Sequence, residues 1–295
     1  MTPIYLDNNA TTKVDPAVAE AMWPYLTEFY GNPSSMHAFG GQVGRAVKEA
    51  REAVAALLGA QDTEVVFTSC GSEGNNTAIR AALAAQPDKK HIITSKVEHP
   101  AVLNVCKHLE KQGYRVTYLS VDERGQLDPL EAEAALTGDT ALVTLMYANN
   151  ETGVIFPVEQ IGEMAREMGA TMHVDAVQAV GKLPINLAAS SIDLLTLSGH
   201  KIHAPKGVGA LYIRKGFRFR PYLIGGHQER GRRAGTENVP GLIGLGKAAE
   251  LAQQHLANVQ REAELRDMLE YGILATIPDT VVNGGGTERL PNTVN

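Results

Sequence analysis

The stretch LLTLSGHKIHAPKGVG, residues 194–209, organises the rest of this chain. It opens with an apolar run that predicts a buried strand, and the run stops abruptly at Ser-Gly-His-Lys. We expect Lys201 to lie in a partly buried loop just beyond the strand, where desolvation disfavours its charged form and lowers its pKa. An uncharged lysine amine can form a Schiff base with an aldehyde. Gly199 and Gly207 would let a flat ligand lie close to the backbone.

A second polar residue follows another predicted strand upstream. Residues 171–174 have strand character, and Asp175 comes directly after them. Because ligands bind at the carboxyl ends of strands in open α/β sheets, we expect Asp175 and Lys201 to share one site. A lone lysine is usually a solvated surface charge. A carboxylate that keeps a pyridine nitrogen protonated, beside a lysine that binds an aldehyde, instead fits a pyridoxal phosphate (PLP) site.

A third motif could hold the phosphate of such a cofactor. Residues 65–68 predict a strand, and the turn SCGSEG at 69–74 then opens a helix that runs to about residue 85. Free amides and the helix dipole at this point would bind an anion, with Gly71 and Ser72 as candidate contacts. The same Ser-x-Glu pattern is equally typical of an ordinary helix N-cap. The motifs around Lys201 and Asp175 favour the phosphate site.

Strand and helix patterns alternate along most of the chain. Predicted strands cover 65–68, 91–96, 115–121, 140–147, 171–174, 194–197 and 210–214, and further helices are predicted at 42–58, 100–112, 128–136 and 158–168. An amphipathic helix is also expected from Pro16 to about Tyr25. Repeated βα units of this length predict an α/β fold, with a mostly parallel sheet covered by helices on both faces.

Composition restricts the class of protein. The 295 residues are 44% apolar and 20% charged, with a formal net charge of −6, which argues against nucleic acid or an anionic membrane as the main partner. Two cysteines indicate a reducing compartment, and we expect a cytoplasmic protein. The segment GLIGLGKA at 241–248 lacks the final Ser or Thr of a phosphate-binding loop, so we interpret it as a helix. No set of metal ligands is expected.

The motifs together resemble a known family. VDAVQ at 174–178, LSGHK at 197–201 and RAGTEN at 233–238, in that order, are similar to NifS-type cysteine desulfurases of the class V aminotransferase group. Matching stretches extend from YLDNNATT at 5–12 to LPNT at 290–293. The resemblance implies PLP-dependent fold type I. It also implies an N-terminal arm that packs with the small domain (1–15), a large PLP-binding domain (16–240) and the start of a small α+β domain (241–295).

The resemblance also implies roles for individual residues. Lys201 would carry the cofactor, Asp175 would keep its ring protonated, and His99 would stack on the ring and shuttle protons with Lys201. Asn150 and Gln178 would contact the phenolic oxygen of the ring. Thr236, on a loop that crosses a homodimer interface, would bind the phosphate of the neighbouring subunit's cofactor. The complete set of expected site residues is Gly71, Ser72, His99, Asn150, Asp175, Gln178, Ser198, His200, Lys201 and Thr236.

The implied activity is removal of sulfur from L-cysteine, which gives L-alanine and an enzyme persulfide for iron–sulfur cluster assembly, with nitrogen fixation as the preferred role. An iron–sulfur scaffold protein would accept the sulfur. The nucleophilic cysteine and the substrate-binding arginine are expected beyond residue 295, so the chain is expected to be a fragment or a truncated product; Cys70 and Cys106 are interpreted as buried thiols. The alternatives are a related class V enzyme, such as a selenocysteine lyase or an aminotransferase, and a catalytically dead PLP-binding or scaffold chain.

Overall fold

The computed structural model describes residues 4–295 and centres on one seven-stranded sheet. The strands are β1 (Val65–Thr68), β2 (His91–Ser95), β3 (Arg115–Leu119), β4 (Thr140–Met146), β5 (Thr171–Asp175), β6 (Leu194–Ser198) and β7 (Gly209–Ile213). Their order across the sheet is β1-β7-β6-β5-β4-β2-β3. β7 runs antiparallel to β1 and β6, whereas the other neighbours are parallel. The predicted α/β class with a mostly parallel sheet is confirmed.

Residues 4–295 also contain nine α-helices. They are α1 (Pro16–Met22), α2 (Pro24–Thr27), α3 (Ala38–Leu58), α4 (Gly71–Ala85), α5 (Pro100–Glu110), α6 (Pro129–Ala135), α7 (Val158–Glu167), α8 (Val239–His255) and α9 (Val259–Thr276). α1, α5 and α6 begin with a proline, which has no amide N–H to leave unpaired, after a residue whose side chain caps the first turn.

Both faces of the sheet are covered, and β4 shows how. All of its residues are buried. Leu142 belongs to the apolar cluster that includes Ile79 of α4, whereas Val143 belongs to the cluster that includes Ile161 of α7. Successive strand residues point to opposite faces, so a strand between two helical layers needs an unbroken apolar run. The core strands were predictable for this reason.

Two helix predictions differ from the structure. The predicted helix from Pro16 to about Tyr25 is divided into α1 and α2, because Pro24 has no N–H to continue the first helix. α3 begins at Ala38, earlier than predicted, because the imidazole of His37 accepts the amide N–H of Gly40 at 3.2 Å.

The segment 241–248 is helical, as predicted, and forms part of α8. α8 packs so closely on α3 that a Cβ on Gly246 would lie 2.5 Å from the Cα of Ala50. The segment is therefore a helix–helix contact. The predicted domain boundary after residue 240 falls inside α8, and the division into a large and a small domain stays a prediction.

The N-terminal arm packs along the loop after β6. The amide N–H of Thr12 donates to the carbonyl of His200 at 2.9 Å, and the amide N–H of Asp15 donates to that of His203 at 3.1 Å. Two distant parts of the chain therefore meet at the carboxyl end of β6. No helix in residues 4–295 is both long and apolar enough to cross a bilayer.

Candidate functional site

A cleft of about 1160 Å³ lies at the carboxyl ends of the parallel strands. The arm, the first turn of α4, the loops after β2, β4, β5 and β6, and residues 292–295 line it. The sheet brings nine of the predicted site residues to this cleft, namely Gly71, Ser72, His99, Asn150, Asp175, Gln178, Ser198, His200 and Lys201. Thr236 does not line it.

Lys201 lies in a 3₁₀ turn directly after β6. Its Nζ donates to the backbone carbonyl of Asn9 and to that of Ala10, the latter at 2.8 Å. Burial lowers the pKa of Lys201, although the charges of Asp175 and Asp7 oppose the shift. Two carbonyls of the arm therefore hold the amine at the edge of the cleft.

Asp175 is the last residue of β5 and is almost completely buried. Asn75 Nδ2 donates to its Oδ2 at 2.6 Å, and the amide N–H of Val177 donates to its Oδ1 at 3.1 Å. Burial raises the pKa of Asp175, whereas these two hydrogen bonds and the charges of His99 and Lys201 oppose the rise. The carboxylate therefore sits in a dry site, held by neutral donors.

Sequence reasoning did not assign a role to Asn75. The side chain lies on α4 one turn after Gly71 and is buried. The spacing between Gly71 and Asn75 could have identified Asn75, because residues four apart on a helix share a face. The helix face that places Gly71 in the cleft also places Asn75 there, beside Asp175.

The first turn of α4 differs from most helix starts in this chain. Cys70, at its N-cap position, makes no side-chain capping hydrogen bond. In contrast, side chains cap the first turns of α1, α3, α5, α6 and α8. The amides at the start of α4 therefore face the cleft without a capping side chain, which is what an anion-binding helix start requires.

The loop that carries Thr236 is attached beside this turn. Arg233 donates to Glu73 of α4 through Nε at 2.8 Å and through Nη2 at 3.1 Å. Earlier in the loop, Glu229 receives a bidentate hydrogen bond from the buried Arg51, at 2.6 and 2.8 Å. Two ion pairs thus fix the loop on the body of the protein.

Asn9 connects the arm to the floor of the cleft, although sequence reasoning gave the arm only a general role. Its carbonyl accepts from Lys201 and, at 2.9 Å, from Gln178 Nε2. Its side chain accepts from Lys182 at 3.5 Å and donates to Thr293 at 2.9 Å. Nothing local in the sequence around Asn9 indicates these contacts.

His99 is exposed at the mouth of the cleft and caps α5. Its Nδ1 accepts the amide N–H of Ala101 at 3.1 Å. A neutral imidazole that accepts at Nδ1 carries its proton on Nε2, so that Nε2 is the nitrogen available as a proton donor. His200 is turned toward the arm, with Nδ1 3.1 Å from the hydroxyl of Thr11.

A further buried acid, Glu98, lies behind His99 and was also missed. Its Oε1 accepts from Ser95 Oγ at 2.8 Å and from the amide N–H of Met146 at 2.9 Å, whereas Oε2 has no hydrogen-bond partner among the described residues. Burial raises the pKa of Glu98 to about 8; the two hydrogen bonds oppose this rise, and the charge of Asp175 adds to it. Glu98 is therefore protonated at neutral pH.

This protonated acid predicts a pH-dependent stability. The pKa in the fold exceeds the ordinary value of 4.5, so the unfolding free energy is highest below that value and falls as the pH rises to about 8. Glu98→Gln should remove a decline of about 1 kcal/mol per pH unit over this range. Urea unfolding of the wild type and Glu98→Gln at several pH values measures the unfolding free energy. If it depends on pH in the same way in both proteins, Glu98 does not have the raised pKa.

The fold and the cleft define a class of protein. A doubly covered, mostly parallel sheet that presents a lysine and a buried aspartate at adjacent strand ends has the arrangement of a fold type I enzyme. The family described as "Aminotransferase class-V" matches residues 4–295. The chain belongs to this family.

The chain is also similar to individual named members of this family. The chain is 73% identical over 295 residues to "Cysteine desulfurase 2" of Trichormus variabilis, and 57% identical over 297 residues to "Cysteine desulfurase NifS" of Azotobacter vinelandii. Each match covers 100% of this chain and 74% of the relative.

Two solved structures are also similar. A "NIFS-like protein" superposes with a TM-score of 0.94 at 41% identity, covering 99% of this chain and 80% of that one. "SspA in complex with cysteine" has a TM-score of 0.87 at 38% identity, covering 98% and 82%. These comparisons confirm the resemblance to NifS-type cysteine desulfurases.

Proposed function

We propose that this chain binds PLP in the cleft and performs the amino-acid chemistry of a cysteine desulfurase, which removes sulfur from L-cysteine and leaves L-alanine. The observation that carries the proposal is the placement of Lys201 and Asp175 at the ends of adjacent parallel strands, β6 and β5. Relatives that match the whole chain at 53–73% identity are named cysteine desulfurases.

The residues present fit the three recognition points of PLP. The uncapped first turn of α4 suits the phosphate, with Gly71 and Ser72 at its start. Asp175 suits the ring nitrogen, because it is a buried carboxylate held by neutral donors. Lys201 suits the aldehyde, because burial lowers the pKa of its amine. Gln178 and Asn150 are proposed to face the ring oxygen, and Ser198 and His200 complete the wall beside Lys201.

When bound, PLP supplies an electron sink for a carbanion formed at the substrate's α-carbon. Lys201, in the turn directly after β6, would hold the cofactor at its aldehyde, and its Nζ would move the proton of the substrate's α-carbon. Asp175 holds a proton on the ring nitrogen, and His99 offers the proton on Nε2 from the mouth of the cleft.

Neither cysteine of the chain is proposed as the group that takes the sulfur. Cys106 is fully buried, and burial raises the pKa of its thiol to about 12, so it is not a nucleophile at neutral pH. Cys70 occupies the N-cap of the phosphate turn. Because the chain spans 74% of its relatives' length, the proposal for these residues is limited to binding the cofactor and substrate and moving protons.

We extend the proposal to partners and location. A homodimer would bring Thr236 of one subunit to the phosphate site of the other, and exposed apolar side chains such as Trp23, Tyr30 and Ile224 support a covered surface. An iron–sulfur scaffold protein is the proposed sulfur acceptor, with nitrogen fixation as the preferred role. The two cysteines are unpaired, which favours the cytoplasm.

The test supplies the chain with PLP, L-cysteine and dithiothreitol. One dithiothreitol thiol takes the sulfur as the C–S bond breaks, and a second releases it as sulfide with formation of the dithiothreitol disulfide. We expect equal amounts of L-alanine and sulfide, and no reaction with D-cysteine. Accumulation of a keto acid and pyridoxamine phosphate would instead identify an aminotransferase and contradict the proposal.

A further inference from the structure

Lys182 is a buried cation in the cleft that the proposed roles do not use. It follows β5 in the turn that also carries Gln178, and it lines the cleft with 8% of its surface exposed. Burial lowers the pKa of Lys182 to about 8, with a further contribution from the charge of Lys201. At neutral pH the side chain is therefore mostly an ammonium group that needs acceptors.

Those acceptors are two amide side chains. Lys182 Nζ donates to Gln178 Oε1 at 2.9 Å and to Asn9 Oδ1 at 3.5 Å. An ammonium group donates hydrogen bonds and accepts none, so only an oxygen can face it. The Gln178 amide therefore has its oxygen toward Lys182 and its NH2 group on the opposite side.

The contact on that opposite side agrees with this orientation. Gln178 Nε2 donates at 2.9 Å to the carbonyl of Asn9, the same oxygen that accepts from Lys201. If the amide were reversed, its oxygen would face the Asn9 carbonyl and its NH2 group would face the ammonium. Both contacts would be repulsive, so Lys182 and the Asn9 carbonyl together select one of the two amide orientations.

We propose that Lys182 is a positioning residue, which holds the Gln178 amide so that an N–H rather than an oxygen is presented to the ring oxygen of PLP. The inference rests on the proposed function. The ring oxygen carries negative charge when PLP is attached to a lysine, so a donor stabilises it and an acceptor repels it. One N–H of Gln178 bonds to Asn9, which leaves the second for the cofactor.

A double-mutant cycle tests whether Lys182 acts through Gln178. Lys182→Met retains an unbranched side chain and removes the donor. We expect the dissociation constant of PLP to rise about tenfold at pH 7, the effect of losing one well-placed hydrogen bond. In the Gln178→Ala background the same substitution should change the constant less than about twofold. Equal changes in both backgrounds would overturn the proposal.

A spectroscopic reading separates positioning from general damage to the fold. If Gln178 no longer presents an N–H to the ring oxygen, the pH midpoint of the visible absorbance change of bound PLP should rise. We expect this rise in Lys182→Met but not in Lys89→Met. Lys89 is the matched control, because its Nζ also donates to two oxygens, at 3.1 and 2.7 Å, but it lies outside the cleft. An unshifted midpoint in Lys182→Met would contradict the proposal.

Failure of this proposal can be told apart from failure of the proposed function. If wild-type protein gains no visible absorbance with PLP, the proposed function itself is wrong. If the wild type binds PLP and Lys182→Met weakens binding equally with or without Gln178, only the positioning role is wrong. Lys182 would then act by direct contact with the cofactor.

Discussion

Lys201→Ala should abolish covalent attachment of PLP and with it the release of alanine. The amine of Lys201 is the group that the fold places at the end of β6 with a lowered pKa, held by carbonyls of the arm. The substitution removes the amine, and the cavity left at this half-buried position is open to solvent. The fold should therefore survive, with a melting temperature close to that of the wild type.

Two measurements check this expectation. The visible absorbance band of PLP bound to the wild type should be absent from Lys201→Ala, and borohydride reduction should leave no cofactor on the protein by mass spectrometry. Lys206→Ala is the matched control, because Lys206 lies exposed in the same loop. An adduct that persists and maps to Lys182, the other lysine lining the cleft, would show that the assignment of Lys201 is wrong.

Asp175→Asn should lower the rate of alanine release on the order of 10²–10⁴-fold, while PLP still attaches to Lys201. A buried carboxylate opposite a protonated ring nitrogen forms a pair in which loss of one charge typically costs about 3–5 kcal/mol. Without the charge, the ring nitrogen loses its proton and the ring withdraws electrons less effectively. The effect should therefore fall on the rate and much less on cofactor attachment.

The same substitution should also destabilise the fold. The two oxygens of Asp175 accept from Asn75 and Val177, whereas asparagine offers a single oxygen, so one buried donor loses its acceptor at a cost of about 1–3 kcal/mol. Asp193→Asn is the matched control. Asp193 also accepts a backbone N–H, from Met172 at 2.9 Å, but it lies before β6, away from the cleft. An unchanged rate in Asp175→Asn would contradict its role.

The sheet was predictable because its strands are buried on both faces. Such strands require continuous apolar runs that end at polar or small residues, and the run before Lys201 is an example. Predicted strand boundaries consequently lie within two residues of the observed ones. The order and direction of the strands were harder to predict. The antiparallel position of β7 between β1 and β6 depends on which strands pair in the folded sheet.

The residues of the candidate site also divide into those that the sequence could predict and those that only the structure reveals. Asp175, Lys201 and Gly71 lie at or just after the ends of strands. Parallel strands end at one edge of a sheet, so the meeting of these residues in the cleft could be inferred. Glu98 was beyond such reasoning, because a Val-Glu-His sequence after a strand is equally typical of a solvated loop. Only the tertiary packing around Glu98 buries its carboxyl group away from solvent.

The sequence by itself determined the alternation of strands and helices, the family, and the residues at the strand ends, because each of these is encoded in a short local pattern. The tertiary structure alone decided the contacts of Asn9, Asn75 and Lys182. Asn9 and Lys201 lie 192 positions apart, and no local pattern relates them. They meet because the arm packs against the loop after β6, where buried donors must find acceptors on whichever segment the fold brings near.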